Sequence, residues 1–292
     1  MQNVTPAALA AFGMLLVPVA LFGLAAEQVV RSVQRWPVPA RVTFPALFVL
    51  PYLAVAVSQH VFHWKWFALY AGLPMGLSWL LERAAVVDRE QRGNWRDAST
   101  LLALGLAVDL RWFEGAWPAG LQALGKLLLV GVGLYGFLAI RQLSGTGFDL
   151  HLRWSDLKTG LCELIFLAPV LLFLGIELDF IHPHASAPGL ATAALSWVGI
   201  FFFIALPEEL YFRAWVQNLL ERRLGSRTAL MISSALFGLS HFNKRSVHFN
   251  WRYVLLATIA GIFYGRAWRK NRRVPASSIT HASVDWIWSF WF

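Results

Sequence analysis

Ten apolar stretches alternate with short polar loops along the 292 residues. They cover residues 5–26, 43–61, 67–81, 100–110, 120–140, 160–178, 190–216, 227–241, 252–268 and 274–292. A helix that crosses a hydrocarbon core needs about 20 such residues, with a usual range of about 17–25. The pattern therefore predicts an all-α protein, a polytopic transmembrane helical bundle with about 8–10 spanning helices. The stretch 100–110 is too short to span alone, carries Asp109 near its end, and reads as partly interfacial. The first stretch has no basic segment ahead of it and reads as a retained helix rather than a cleaved signal. Residues 149–158 mix apolar and charged side chains, as an interfacial segment leading into the next helix would. The chain divides near this point into an N-terminal helical block, 1–145, and a block that holds the chemistry, 146–292.

Composition agrees with a membrane solvent. Hydrophobic residues make up 58% of the chain, charged residues only 14%, and the mean hydropathy is +0.55. Many of the 15 Trp, such as Trp36, Trp64, Trp112, Trp154 and Trp251, flank apolar stretches, where interfacial rings anchor a helix. The net charge of +9 would raise the question of nucleic acid in a soluble protein. Here the basic residues gather in alternate loops, 27–42, 82–98, 141–158, 217–227 and 266–273, which excludes that reading in favour of the positive-inside rule. Those loops face the cytoplasm on this reading, and both termini face outward. The loop 242–252, with Lys244, Arg245 and Arg252, breaks the alternation. The single cysteine, Cys162, excludes an intramolecular disulfide and a Cys-rich metal site.

Three polar clusters interrupt the apolar stretches of the last third. The first is Glu208-Glu209-x-x-x-Arg213. A charged side chain at the centre of a membrane helix costs roughly 2.5–3.5 kcal/mol, so charges kept there call for a use. Glu209 and Arg213 are i,i+4 neighbours in the favourable order for an ion pair. Glu208 points about 100° away around the helix axis and stays available to a water, a proton or a metal. Pro207 loosens the backbone just ahead of the pair. The second cluster places Phe237 and His241 on one helix face, and the third does the same for His281 and Asp285. Asp285 can orient His281 or sit beside it. Two imidazoles and up to three carboxylates suit water activation by a carboxylate base or by a bound metal. The other histidines, among them His182 and His184 with Pro183 between them, lie at predicted ends or in loops and read as interfacial.

Glu-Glu-x-x-x-Arg, then Phe-x-x-x-His, then His-x-x-x-Asn/Asp resembles the motif set of the CAAX-protease and bacteriocin-processing family of intramembrane endopeptidases. The resemblance covers about 150–290. It extends to Gly261-Ile-Phe-Tyr-Gly265 and to the Ala-Ser-Ser-Ile-Thr stretch that leads into His281. It implies hydrolysis of a peptide bond in a membrane-anchored protein or peptide, with the lipid bilayer as the setting and the cytoplasmic membrane of a bacterium as the location. It implies Glu208 as the base that activates water, helped by His241, with Glu209 and Arg213 holding the site and Phe237 supporting it. It implies that His281 and Asp285 stabilise the oxyanion or bind metal. The family has been described both as metalloproteases and as metal-independent glutamic proteases. A zinc ion on Glu208, His241, His281 and Asp285 is therefore the alternative to a site with no cofactor. The eukaryotic prenyl-protein endopeptidases carry Asn where this chain has Asp285, and bacterial-type members often carry Asp. An ionised Asp cannot donate a hydrogen bond, so Asp285 is protonated, orients His281, or ligates metal.

Simple alternation of helices leaves the clusters at different depths. Glu208 lies about 27 Å along a helix that runs inward from residue 190, and His241 about 21 Å along one that runs outward from residue 227. Tilt, an earlier helix start near Leu219, or a re-entrant turn would reconcile them. Two further functions compete with the protease: a non-enzymatic immunity or scaffold protein of the same fold, and a proton-coupled transporter. Retention of every chemically competent residue speaks against the scaffold, and the full motif set speaks against the transporter.

Overall fold

The computed structural model describes residues 5–184, 186, 188–244 and 248–292, so Arg245 of the loop 242–252 lies outside the described residues. Its regular elements are all helices among those residues. Two compact units make up the chain, Met1–Ser144 and Gly145–Phe292.

The first unit holds α1 (Pro6–Leu24), α2 (Ala26–Gln34), α3 (Val38–Ser58), α4 (Trp64–Val87), α5 (Trp95–Asp109) and α6 (Ala123–Ile140). Pro6 opens α1, and the Thr5 hydroxyl caps it by accepting from the Ala8 N–H. The stretch read as 100–110 is the core of α5. It starts earlier because Asn94 and Asp97 form a reciprocal capping box around a polar first turn. At 15 residues it remains short of the core thickness. The buried Arg141 clamps this capped end. Its Nε donates to Asp97 Oδ1 at 2.8 Å and its Nη2 to Asp88 Oδ2 at 2.6 Å.

The second unit holds α7 (Trp154–Glu177), α8 (Leu190–Leu224), α9 (Ser226–Leu239), α10 (Trp251–Asn271) and α11 (Val274–Trp291). Among the described residues, five helices, α1, α3, α6, α7 and α8, are long and apolar enough to cross a membrane by length and composition. The others among the described residues have a physical reason to differ. With 14 residues, α9 is too short. Charges such as Glu82 and Arg83 or Arg266 and Arg269 lie within α4 and α10, and α11 carries a polar face that turns inward.

The segment read as interfacial, 149–158, splits in two. Its first half is a loop, and its second half begins α7, where Asp156 accepts from the Arg153 N–H. Arg273, just ahead of α11, ties both halves down. It donates to Asp156 Oδ1 at 2.6 Å and to Asp149 Oδ2 at 2.7 Å. Farther along, Thr280 donates to the Gly160 carbonyl at 2.9 Å. Together these bonds anchor α11 against α7. Burial alone would raise the Asp149 carboxyl, but the Arg273 guanidinium and the backbone and ring of His151 outweigh it and hold Asp149 at about 2. The ordinary value is 3.8, so this contact stabilises the fold above about pH 4 and is lost as pH falls towards 2. Asp149→Asn is expected to flatten the acid-side fall in melting temperature across that window. Thermal unfolding in detergent at stepped pH measures it.

A single glycine, Gly225 at φ +75°, joins α8 to α9. A left-handed residue that ends one helix is the common role of glycine there. The returning α9 packs closely on α10. A Cβ at Gly238 would collide with the Thr258 hydroxyl and come within 2.5 Å of the Val254 carbonyl. Gly238→Ala is thus expected to destabilise the unit by about 1–3 kcal/mol, read as a lower unfolding midpoint. An unchanged midpoint would contradict the close approach.

Candidate active site

The Gly225 turn resolves the depth problem. Glu208 precedes it by seventeen residues and His241 follows it by sixteen, so both lie about 25 Å from the turn at 1.5 Å per residue. Helix α8 does not stop where its apolar run stops. It continues through Gln217 and Asn218, both buried, to Leu224.

Along α8, Glu208 and Glu209 sit on a short α-helical stretch, Leu206–Glu209, between two π-helical ones, Phe201–Ala205 and Leu210–Gln217. Pro207 has no N–H to offer the helix, and wider turns on both sides accommodate it. The two carboxylates face different surroundings. Glu209 is fully buried and fully engaged. Its Oε2 accepts from Arg213 Nε at 2.9 Å and from the Ser277 hydroxyl, and its Oε1 pairs with His281 Nδ1 at 2.9 Å. Glu208 keeps 27% of its side chain exposed, yet its Oε2 is buried without a hydrogen-bond partner among the described residues. Lys244 Nζ lies 3.9 Å from Oε1, and His281 Nε2 stands 3.9 Å from Oε2.

The imidazoles are held by their inner nitrogens. The Phe237 carbonyl lies 2.8 Å from His241 Nδ1, and the Ser240 hydroxyl 3.2 Å. A carbonyl can only accept, so Nδ1 carries the proton and Nε2 of the neutral ring is an acceptor. His281 is oriented by Glu209 at Nδ1, while Asp285 lies 3.5 Å from Nε2. The i,i+4 spacing thus brings Asp285 beside His281, but the group that fixes the ring is Glu209. Phe237 fills the space between these groups. Its ring centre lies 4.9 Å from that of His241 and 5.5 Å from that of His281, and Arg213 lies over its face at 5.3 Å.

Three contributors escape a reading by motif spacing alone. Ser277 lies one helical turn before His281, so the same face that carries the imidazole carries its hydroxyl. Tyr264 stacks on His281 at 4.5 Å with rings 14° apart, from within the Gly261–Gly265 stretch. Lys244 counted only as a loop charge. The other histidines lie elsewhere: His151 pairs with Asp149, and His182 and His184 sit in the loop after α7.

A cavity of about 90 Å³ opens beside the site. His241, His281 and Asp285 form its polar end, and its remaining wall is largely apolar, with Leu171, Phe180, Leu256 and Trp288. Among the described residues, no group of three or more His, Cys, Asp or Glu side chains is arranged to hold a metal ion. The inner nitrogens of His241 and His281 are held by the Phe237 carbonyl and by Glu209, so a zinc ion would be held by Glu208, Asp285 and the two outer nitrogens.

Residues 190–287 match the family model described as type II CAAX prenyl endopeptidase, Rce1-like. This match lies within the C-terminal unit and supports the CAAX-protease and bacteriocin-processing family for it. With the apolar helices, the match supports an integral, multi-pass membrane protein with protease activity of the CAAX kind and a membrane-anchored substrate. No curated protein and no solved structure matches the chain.

Proposed function

We propose that this protein is an intramembrane endopeptidase in which Glu208 activates a water molecule to hydrolyse a peptide bond of a membrane-anchored protein or peptide. One observation carries the reading: of two adjacent carboxylates, Glu209 accepts from three donors while Glu208 has a buried oxygen with no hydrogen bond among the described residues. A saturated carboxylate positions its neighbours. An unsatisfied one is ready to accept from water.

The reaction then runs as follows. A water donates one hydrogen bond to Glu208, and the free acceptor of His241 takes the other. Glu208 removes a proton as the water oxygen attacks the carbonyl carbon. The tetrahedral intermediate collapses with cleavage of the C–N bond, and Glu208 returns its proton to the leaving amine. Glu209 holds His281 at the edge of this space, with Asp285 beside its outer nitrogen. Arg213 neutralises Glu209, and Phe237 keeps both rings apart at a fixed spacing. The apolar cavity receives apolar side chains or a lipid attached near the cleaved bond. A carboxy-terminal CAAX-type end in a bacterial cytoplasmic membrane meets these requirements.

The test is cleavage of a panel of membrane-anchored peptides by the full-length protein in liposomes, with and without a chelator. Cleavage that survives chelation is expected. Loss of cleavage on chelation, restored by zinc, would assign the site to a metal. Absence of cleavage across the panel would favour a non-enzymatic scaffold of the same fold.

A further inference from the structure

The surroundings of Glu208 are rich in acceptors and short of donors. Besides Glu208 itself, Glu209 and Asp285 bring carboxylates. Peptide hydrolysis moves negative charge onto the carbonyl oxygen, and that oxygen needs donors placed in advance. Most donors near the site are already committed. Arg213 Nε is on Glu209 and its Nη1 is on Ser233 at 3.2 Å, while its Nη2, without a hydrogen-bond partner among the described residues, is shut inside the protein with the rest of the side chain. The Ser277 hydroxyl is on Glu209, His241 Nδ1 is at the Phe237 carbonyl, and His281 Nδ1 is at Glu209. An ionised Asp285 accepts only.

Lys244 brings a donor of another kind, an ammonium on a flexible stem. Its backbone N–H donates to the His241 carbonyl at 3.2 Å, so its place is tied to that of His241. Its ammonium is 3.9 Å from Glu208 Oε1, too far for a hydrogen bond, and the side chain is 39% exposed. The ammonium carries three N–H donors and lies on the Oε1 side of Glu208.

We infer that Lys244 is a further catalytic residue, whose ammonium donates a hydrogen bond to the carbonyl oxygen of the scissile peptide as that oxygen becomes an oxyanion. This rests on the reading of Glu208 as the base that activates water. A reacting carbonyl carbon lies about 3–3.5 Å from the attacking water, and a flexible four-carbon stem lets the ammonium follow its oxygen. The charges balance. Before attack, the ammonium stands beside the Glu208 carboxylate. After attack, Glu208 is neutral because it holds the water proton, and the ammonium pairs with the oxyanion. When the C–N bond breaks, the carbonyl re-forms, the amine takes the proton from Glu208, and Lys244 keeps its own proton throughout.

Lys244→Met removes the donors and keeps an apolar stem, while Lys244→Arg keeps a cationic donor. Both are measured in the full-length protein in liposomes on a peptide that the wild type cleaves, with Glu208→Gln alongside and melting temperatures recorded. The methionine variant is expected to lose about 100-fold in kcat, the scale of a missing oxyanion donor, with KM within about twofold of wild type. The arginine variant is expected to keep at least about a tenth of kcat. Wild-type kcat in Lys244→Met would overturn the inference, and an inactive Glu208→Gln in the same experiment would leave the water base standing. A loss confined to KM would also overturn it, because it would make Lys244 a substrate-binding group. If the methionine variant melts early, the arginine variant decides: a full loss of kcat at an unchanged melting temperature overturns the inference. Failure of the wild type on every peptide would overturn the water-base reading and this inference together.

Discussion

Glu208→Gln is expected to lower kcat for peptide hydrolysis by about a thousand-fold and to leave the melting temperature almost unchanged. The two halves of this expectation have one source. Removal of a positioned general base typically costs about 10²–10⁴ in rate, and Gln keeps the shape of Glu without its proton-accepting carboxylate. Little stability is lost because Oε2 of Glu208 makes no hydrogen bond among the described residues. Steady-state cleavage in liposomes and thermal unfolding in detergent measure the two halves. Turnover within tenfold of wild type would remove Glu208 from the reaction.

Arg213→Ala has the opposite profile, a large loss of stability from which loss of activity follows. Arg213 and Glu209 are both inaccessible to solvent and pair at 2.9 Å. Breaking a buried pair by removing one partner costs about 3–5 kcal/mol, because the remaining charge stays buried without compensation. The Ser277 hydroxyl and His281 cannot replace the guanidinium, and the loss of Arg213 also removes the hydrogen bond that the Ser233 oxygen accepts and uncovers the Phe237 ring. Arg213→Lys retains the charge but not the planar fork and is expected to fall between the two. Chemical denaturation in detergent gives the stability difference. A stability loss below about 1 kcal/mol for Arg213→Ala would mean that the pair is not buried as described.

Helical periodicity made much of the site readable before the fold was known. It brought Glu209 to Arg213, Phe237 to His241 and His281 to Asp285, because neighbours one turn apart share a face whatever the tertiary structure does. Contacts between helices were out of its reach. Nothing local says that Glu209 of α8 orients His281 of α11, and the natural guess from spacing was Asp285. Ser277 was hidden for a similar reason, since a serine in a run of small residues carries no signal until its partner across the interface is known. The length of α8 was misread because apolarity was taken as its measure. Gln217, Asn218 and Glu221 end the hydrophobic run, yet Gln217 and Asn218 are buried and Gln217 bonds Ser233 and Glu221, so the helix carries on as a polar element inside the unit. That extension removes the apparent mismatch in depth between Glu208 and His241. Lys244 was legible only as a charge in a loop that broke the positive-inside alternation.

The most direct measurement is a single turnover of the wild-type protein in water enriched in ¹⁸O, with mass analysis of the product and of the peptide that contains Glu208. If Glu208 acts on water, the new carboxylate of the product takes up one labelled oxygen and Glu208 takes up none. Label in the Glu208 carboxylate, or a first-turnover product without label, would mean that Glu208 attacks the substrate itself and would contradict the account.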